Sequence, residues 1–151
     1  MSNVRRLMSD TNHPQHGYVD ELPPIVRTVA AALSSDPDAM EIWLIGSRAS
    51  GTHRQDSDWD LLLFSRREPH PTRSRCKGVD VLHLGPSGTI LLEGQPKAMT
   101  VRFESFNWKV VAPGKATYKG LQFHPVQLGT ARDEPIAFLV PSAGKLIWSS
   151  Q

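Results

Sequence analysis

Residues 46–60 read GSRASGTHRQDSDWD, and the apolar run LLLF follows at once at residues 61–64. Along a strand, residues i and i+2 point to one face, so Asp58 and Asp60 face one way and Trp59 the other. Two like charges ~4 Å apart at an effective dielectric near 20 repel by about 4 kcal/mol. Asp80 adds a third carboxylate, second in the next apolar run, VDVLHL at residues 79–84. Three carboxylates on one sheet face must share protons, pair with Arg or Lys, or bind a cation. Their hard oxygens suit Mg²⁺ or Mn²⁺ and suit soft metals poorly. A mutually neutralised structural pair at Asp58 and Asp60 is the plainer alternative.

Gly46-Ser47 supplies the complementary feature. It follows the apolar run EIWLI at residues 41–45 and precedes a short stretch that can be helical. A glycine at that place permits close backbone approach, and the amides after it point at whatever sits above the strand end, which suits phosphates. A phosphate site followed at once by paired carboxylates suggests a metal–nucleotide complex.

Several other motifs are excluded. Asp56-x-Asp58-x-Asp60 opens like a calcium-binding EF-hand loop, but Leu61 stands where that loop needs glycine and Arg67 where it needs glutamate. Neither GxxxxGK[ST] nor GxGxxG occurs, and Ser47 lacks the GxSxG setting of a hydrolase nucleophile. The six histidines form no HxxxH or HExxH pair, so a zinc site is not expected.

Outward from this stretch, the spacing predicts a helix through Ile25, Val26, Val29, Ala30 and Leu33, opened by Asp20 and Pro23-Pro24 and stopped by Asp36-Pro37. Strands are predicted over 41–45, 59–64 and 79–84, the second apolar on both faces and therefore central. Residues 65–77 form a polar loop carrying Arg66, Arg67, Arg73, Arg75 and Lys77, most simply a solvated one. Residues 85–94 suggest a short helical turn. Residues 100–111 suggest one strand whose inward face switches at a bulge near Ser105. A short strand over 121–123, a strand or helix over 135–140, a turn at 141–144 and a final strand over 145–148 complete the reading.

With 151 residues, 39% of them hydrophobic, the chain is expected to form one folded domain over 20–151, preceded by a mobile tail over 1–19. A net charge of +2 does not by itself demand a nucleic-acid partner. The single cysteine, Cys76, rules out an intramolecular disulfide framework and points to a cytoplasmic location. No apolar run is long enough to span a membrane.

Taken together, strand, GS, short helix, DxD, strand and a third Asp resemble the nucleotidyltransferase superfamily of the DNA polymerase β type. Gly46-Ser47, ten residues, then Asp58-Trp59-Asp60 is similar to the GSX10DXD signature of its minimal members. The resemblance covers residues 25–84 and touches the closing AGKLIW; residues 85–130 match nothing in it. It implies an α/β (α+β) nucleotidyltransferase fold: a mixed central sheet, helices mainly on one face, and extra strands in the C-terminal half. It also implies that Asp58, Asp60 and Asp80 are catalytic and bind two Mg²⁺ ions, for which Mn²⁺ can substitute. Gly46, Ser47 and Arg48 would bind the nucleotide. The implied reaction moves a nucleoside monophosphate, AMP in the first instance, from an NTP such as ATP to a hydroxyl-type acceptor.

The short chain resembles the antitoxin half of toxin–antitoxin pairs, which implies a partner toxin as acceptor; an RNA end or a small molecule is the other choice. Other members of the superfamily carry a helical domain that supplies much of the acceptor site; here the residues after Leu84 would extend the sheet and form that wall, or a second subunit in a homo- or hetero-oligomer would complete it. The reading from a different class is a non-catalytic docking module that keeps this fold.

Overall fold

The computed structural model describes residues 20–70, 76–92, 100–124 and 136–150. The expected N-terminal tail, and Arg73 and Arg75 of the basic loop, lie outside the described residues.

Helix α1 (Pro24–Ser34) begins where the two prolines predict, because a first-turn proline gives up an N–H that has no helical partner anyway. Its Val26 and Ala30 are buried, one helical turn apart. They pack on Ile42 and Leu44 of strand β1 (Ala39–Ile45) and on Leu61 and Leu63 of β2 (Trp59–Ser65). Helix α2 (Gly46–Ser50) joins those strands. Then follow β3 (Val79–Leu84), β4 (Thr89–Leu92), β5 (Thr100–Arg102), a 3₁₀ turn at Phe103–Phe106, β6 (Lys109–Ala112), β7 (Lys115–His124) and β8 (Ile136–Ser149).

All eight strands form one mixed sheet in the order β5-β4-β3-β2-β1-β8-β7-β6. The β2–β3 pair is parallel and the other neighbours are antiparallel. β1 and β2 lie at the centre, which is why both alternate faces of EIWLI and WDLLLF are apolar. Among the described residues, no helix is long and apolar enough to cross a membrane.

The sheet is strongly curled, and connectivity requires it. A flat eight-stranded sheet would be about 34 Å wide at ~4.8 Å per strand. β5 and β6 sit at opposite edges, yet only residues 103–108 join them. That link reaches at most ~25 Å fully extended, and its 3₁₀ turn makes it shorter still. The link therefore crosses the concave face. Phe106 stacks on Tyr118 of β7 with ring centroids 5.4 Å apart, and Trp108 stands edge-on to Trp43 of β1 at 5.0 Å. A second core results, with Trp43, Ile45, Leu62, Leu84, Ile90, Phe106 and Tyr118 buried opposite α1.

Four readings are corrected here. The segment after Gly85 forms β4, not a helical turn, and pairs with both β3 and β5. The change of face near Ser105 is not a bulge in one strand. The chain leaves β5 through the 3₁₀ turn, and Asn107 turns it with a left-handed φ of 49°. Residues 121–123 fall inside the ten-residue β7 rather than forming a short strand of their own. Residues 141–144 are not a turn either, since β8 runs unbroken through them. Proline is tolerated at 141 because β8 meets β1 only from Lys145 onward. Beside Pro141, the N–H of Ala143 donates to Ser50 Oγ of α2 (3.2 Å). Gly144 serves packing, for a Cβ there would lie 2.8 Å from the Trp108 ring.

Candidate active site

Parallel pairing sets Trp59 against Val79 and Asp60 against Asp80. The Trp59 N–H donates to the Gly78 carbonyl (2.8 Å), which fixes this register at its first residue. Trp59, Leu61, Val79 and Val81 belong to the α1 side of the sheet, so Asp60 and Asp80 both emerge on the concave side. Both line a cavity of about 240 Å³ with Gly46, Ile45, Leu82, Ile90, Val101, Phe106, Tyr118 and Gly120 among its walls. Asp58 is exposed, one residue ahead of β2, and is not part of that lining.

Gly46 is tied to Asp60 by shape. Its φ is +75°, and a Cβ there would collide with Asp60 Oδ2 and sit 3.3 Å from Cγ. No other residue permits that approach. The Gly46 N–H donates to the Tyr118 hydroxyl (2.8 Å). Burial pushes the Tyr118 phenol above its usual pKa; hydrogen bonds from Gly46 and Ser142 oppose the rise, and the Asp60 charge adds to it. Tyr118 is therefore a neutral hydroxyl at working pH.

Arg48 sits in the same turn, and its guanidinium is engaged there. It donates to the carbonyls of Gln55 (2.9 Å) and Ser57 (3.0 Å) and lies 4.5 Å from the centroid of the Trp59 ring. It thereby holds the loop that delivers Asp58. Arg48→Lys cannot reproduce this planar fork. We expect it to cost about 1–2 kcal/mol in denaturant unfolding and to speed proteolysis within residues 51–58.

Trp59 packs as a core residue rather than as a base platform, and Phe106 and Trp108 join the aromatic core. His83 is buried on the side of the sheet opposite Asp80. Arg66 and Arg67 reach the turn before β1, through the Pro37 carbonyl and the Asp36 and Asp38 carboxylates. That turn lies at the end of β1 away from Gly46, so these two arginines stand far from the carboxylates. Tyr118 and Gly120 escaped sequence reasoning, because only the curl of the sheet brings β7 to Gly46.

A family model for the nucleotidyltransferase domain matches residues 26–112, more than half of the chain. The chain belongs to the nucleotidyltransferase domain family. No curated protein and no solved structure matches it significantly. The matched segment contains Gly46, Ser47, Asp58, Asp60 and Asp80 and stops at the end of β6. β7 and β8, with Tyr118 and Gly120, lie beyond it.

Nucleotidyltransferase domains generally work with divalent metals, and the donors here suit one. Asp60 and Asp80 offer hard oxygens side by side on one cavity wall, and the missing Cβ of Gly46 leaves the Asp60 carboxylate its place. Among the described residues, no three His, Cys, Asp or Glu side chains are gathered as a metal site. Asp58 is exposed and lies one residue ahead of β2, next to the strand that carries Asp60.

Proposed function

We propose that this chain is a Mg²⁺-dependent nucleotidyltransferase that moves a nucleoside monophosphate, with AMP as the expected case, from an NTP to a hydroxyl-type acceptor. The observation that carries the reading is the in-register pair Asp60 and Asp80 on the wall of a cavity that also holds the Gly46 turn. Asp58, Asp60 and Asp80 are the residues that would hold Mg²⁺, or Mn²⁺ in its place. A bound divalent ion would neutralise charge on the phosphates and on the attacking and departing oxygens.

The chain's own residues account for the rest. Ser47 receives the triphosphate through its backbone N–H and hydroxyl, and Gly46, whose own N–H is held by Tyr118, lets the phosphates approach the backbone closely. Arg48 acts on the nucleotide indirectly, by holding the loop that bears Asp58. Asp80 accepts the acceptor's proton or orients the group that does. A bond forms between the acceptor oxygen and the α-phosphorus, the bond to the β-phosphate oxygen breaks, and pyrophosphate leaves. The apolar walls from Ile45, Leu82, Ile90 and Val101 keep bulk water from competing with the acceptor.

The acceptor proposed is a partner protein, in the manner of an antitoxin acting on its toxin in the cytoplasm, with an RNA end as the other choice. The mode of assembly would be a complex with that partner.

A thermal-shift titration with ATP, GTP, CTP and UTP, each with and without Mg²⁺, tests the reading. Linkage gives about 2.7 kcal/mol of stabilisation at a hundred times Kd, or roughly 5–10 °C for a domain of this size. A Mg²⁺-dependent shift with one nucleotide is the expected result. No shift with any nucleotide in a folded chain would leave the non-catalytic docking module as the reading.

A further inference from the structure

We infer that Tyr118 is a positioning residue for the nucleotide site, supplied by a strand outside the family-matched segment. The inference rests on the nucleotidyltransferase reading for its function and on geometry for its existence.

Three contacts converge on the Tyr118 side chain. Its hydroxyl accepts the Gly46 N–H at 2.8 Å. Tyr118 lines the same cavity as Asp60 and is paired in register with Ser142 of β8. Its ring stacks on Phe106 and lies 5.6 Å from Trp108. The side chain is 5% exposed, so this arrangement is built rather than incidental.

The arrangement has a clear consequence. The Gly46 turn must keep a left-handed φ of +75° with Asp60 pressed against its Cα. The local sequence alone does not hold such a turn, because glycine visits many conformations at little cost. An acceptor fixed in the sheet core removes that freedom. With the phenol in place, the turn and the Asp60 carboxylate stay at the spacing that phosphates and a cation need, and the site is preorganised before the nucleotide arrives. β7 and β8 thus complete the site in the same chain.

The test compares wild type with Tyr118→Phe, which keeps the ring stack and deletes only the hydroxyl. Two readouts are taken: Mg²⁺–ATP affinity by calorimetry, and exchange of the ¹⁵N-labelled Gly46 amide. Tyr118→Phe should fold, bind Mg²⁺–ATP at least tenfold more weakly, and exchange its Gly46 amide at least tenfold faster. Equal affinity and equal exchange in the two proteins would overturn the inference. Equal affinity with faster exchange would also overturn it, since the turn would then be held to no functional end.

If wild type binds no nucleotide, the nucleotidyltransferase reading fails on its own. The amide comparison then decides the positioning role, with faster exchange supporting it and equal exchange overturning it. Should Tyr118→Phe not fold, wild type alone decides. A Gly46 amide protected at least tenfold over its intrinsic rate supports the inference, and an unprotected one sinks it.

Discussion

Asp60→Asn and Asp80→Asn are each expected to lower nucleotidyl transfer by about 10³-fold or more, a barrier increase of roughly 4 kcal/mol, while Tm stays at or above that of wild type. The two effects have opposite signs for one reason. Parallel pairing sets the two carboxylates on adjacent positions of one face, and like charges so placed cost stability. Asparagine preserves the shape of either side chain, turns one acceptor oxygen into an NH₂ donor, and removes the charge that a divalent ion requires. Asp58→Asn provides the contrast. Asp58 is exposed ahead of β2, so its loss should weaken Mg²⁺–nucleotide binding with no gain in Tm. Thermal denaturation run beside a pyrophosphate-release assay separates the cases. If Asp60→Asn and Asp80→Asn both lost several degrees of Tm with the activity, the pair would be a structural element and the catalytic assignment would be wrong.

The half of the fold that carries the signature was legible because each of its elements announces itself twice. α1 has a helical apolar period together with a proline start. β1, β2 and β3 have apolar residues on both faces and punctuation by glycine or charge at their ends. Alternation pointed Asp58 and Asp60 one way, Asp80 was expected beside them if the strands were neighbours, and the sheet register sets Asp60 against Asp80. The C-terminal half was harder because its residues obey constraints from elsewhere in the fold. Pro141 and Gly144 look like a turn, but Pro141 stands where β8 has not yet reached β1, and Gly144 makes room for Trp108. Ser105 marks a change of face whose cause is a crossing between sheet edges. No local pattern distinguishes that crossing from a bulge; only Asn107, a residue tolerant of left-handed φ, hinted at it.

The same distinction explains what was missed at the site. Gly46, Asp60 and Asp80 are close in sequence to the strands that position them, so spacing reveals them. Tyr118 is 72 residues from Gly46 and meets it only because the sheet curls. Arg48, expected at the nucleotide, donates from Nε and Nη2 to the Gln55 and Ser57 carbonyls, contacts that its position beside the turn did not announce.

The second large effect should come from Gly46→Ala, which we expect to cost about 3–4 kcal/mol and to lower Tm by roughly 8–12 °C. Two causes combine. Alanine at a left-handed φ costs about 1–2 kcal/mol by itself. The added methyl also meets the Asp60 carboxylate, and because the Asp60 backbone is held in the β2–β3 ladder the carboxylate has to turn out of its place. Gly51 isolates the first cause. Its φ is +77°, and a Cβ there would meet nothing within 4 Å, so Gly51→Ala should show only the conformational cost. The second cause is isolated by repeating Gly46→Ala in an Asp60→Ala background, where the colliding atoms are gone. The penalty there should fall to the value found for Gly51→Ala, leaving a coupling energy of about 2 kcal/mol between positions 46 and 60. Additive costs in that cycle would mean that the Gly46 turn and the Asp60 carboxylate are independent. The binding site would then have to be built from some other pair of contacts.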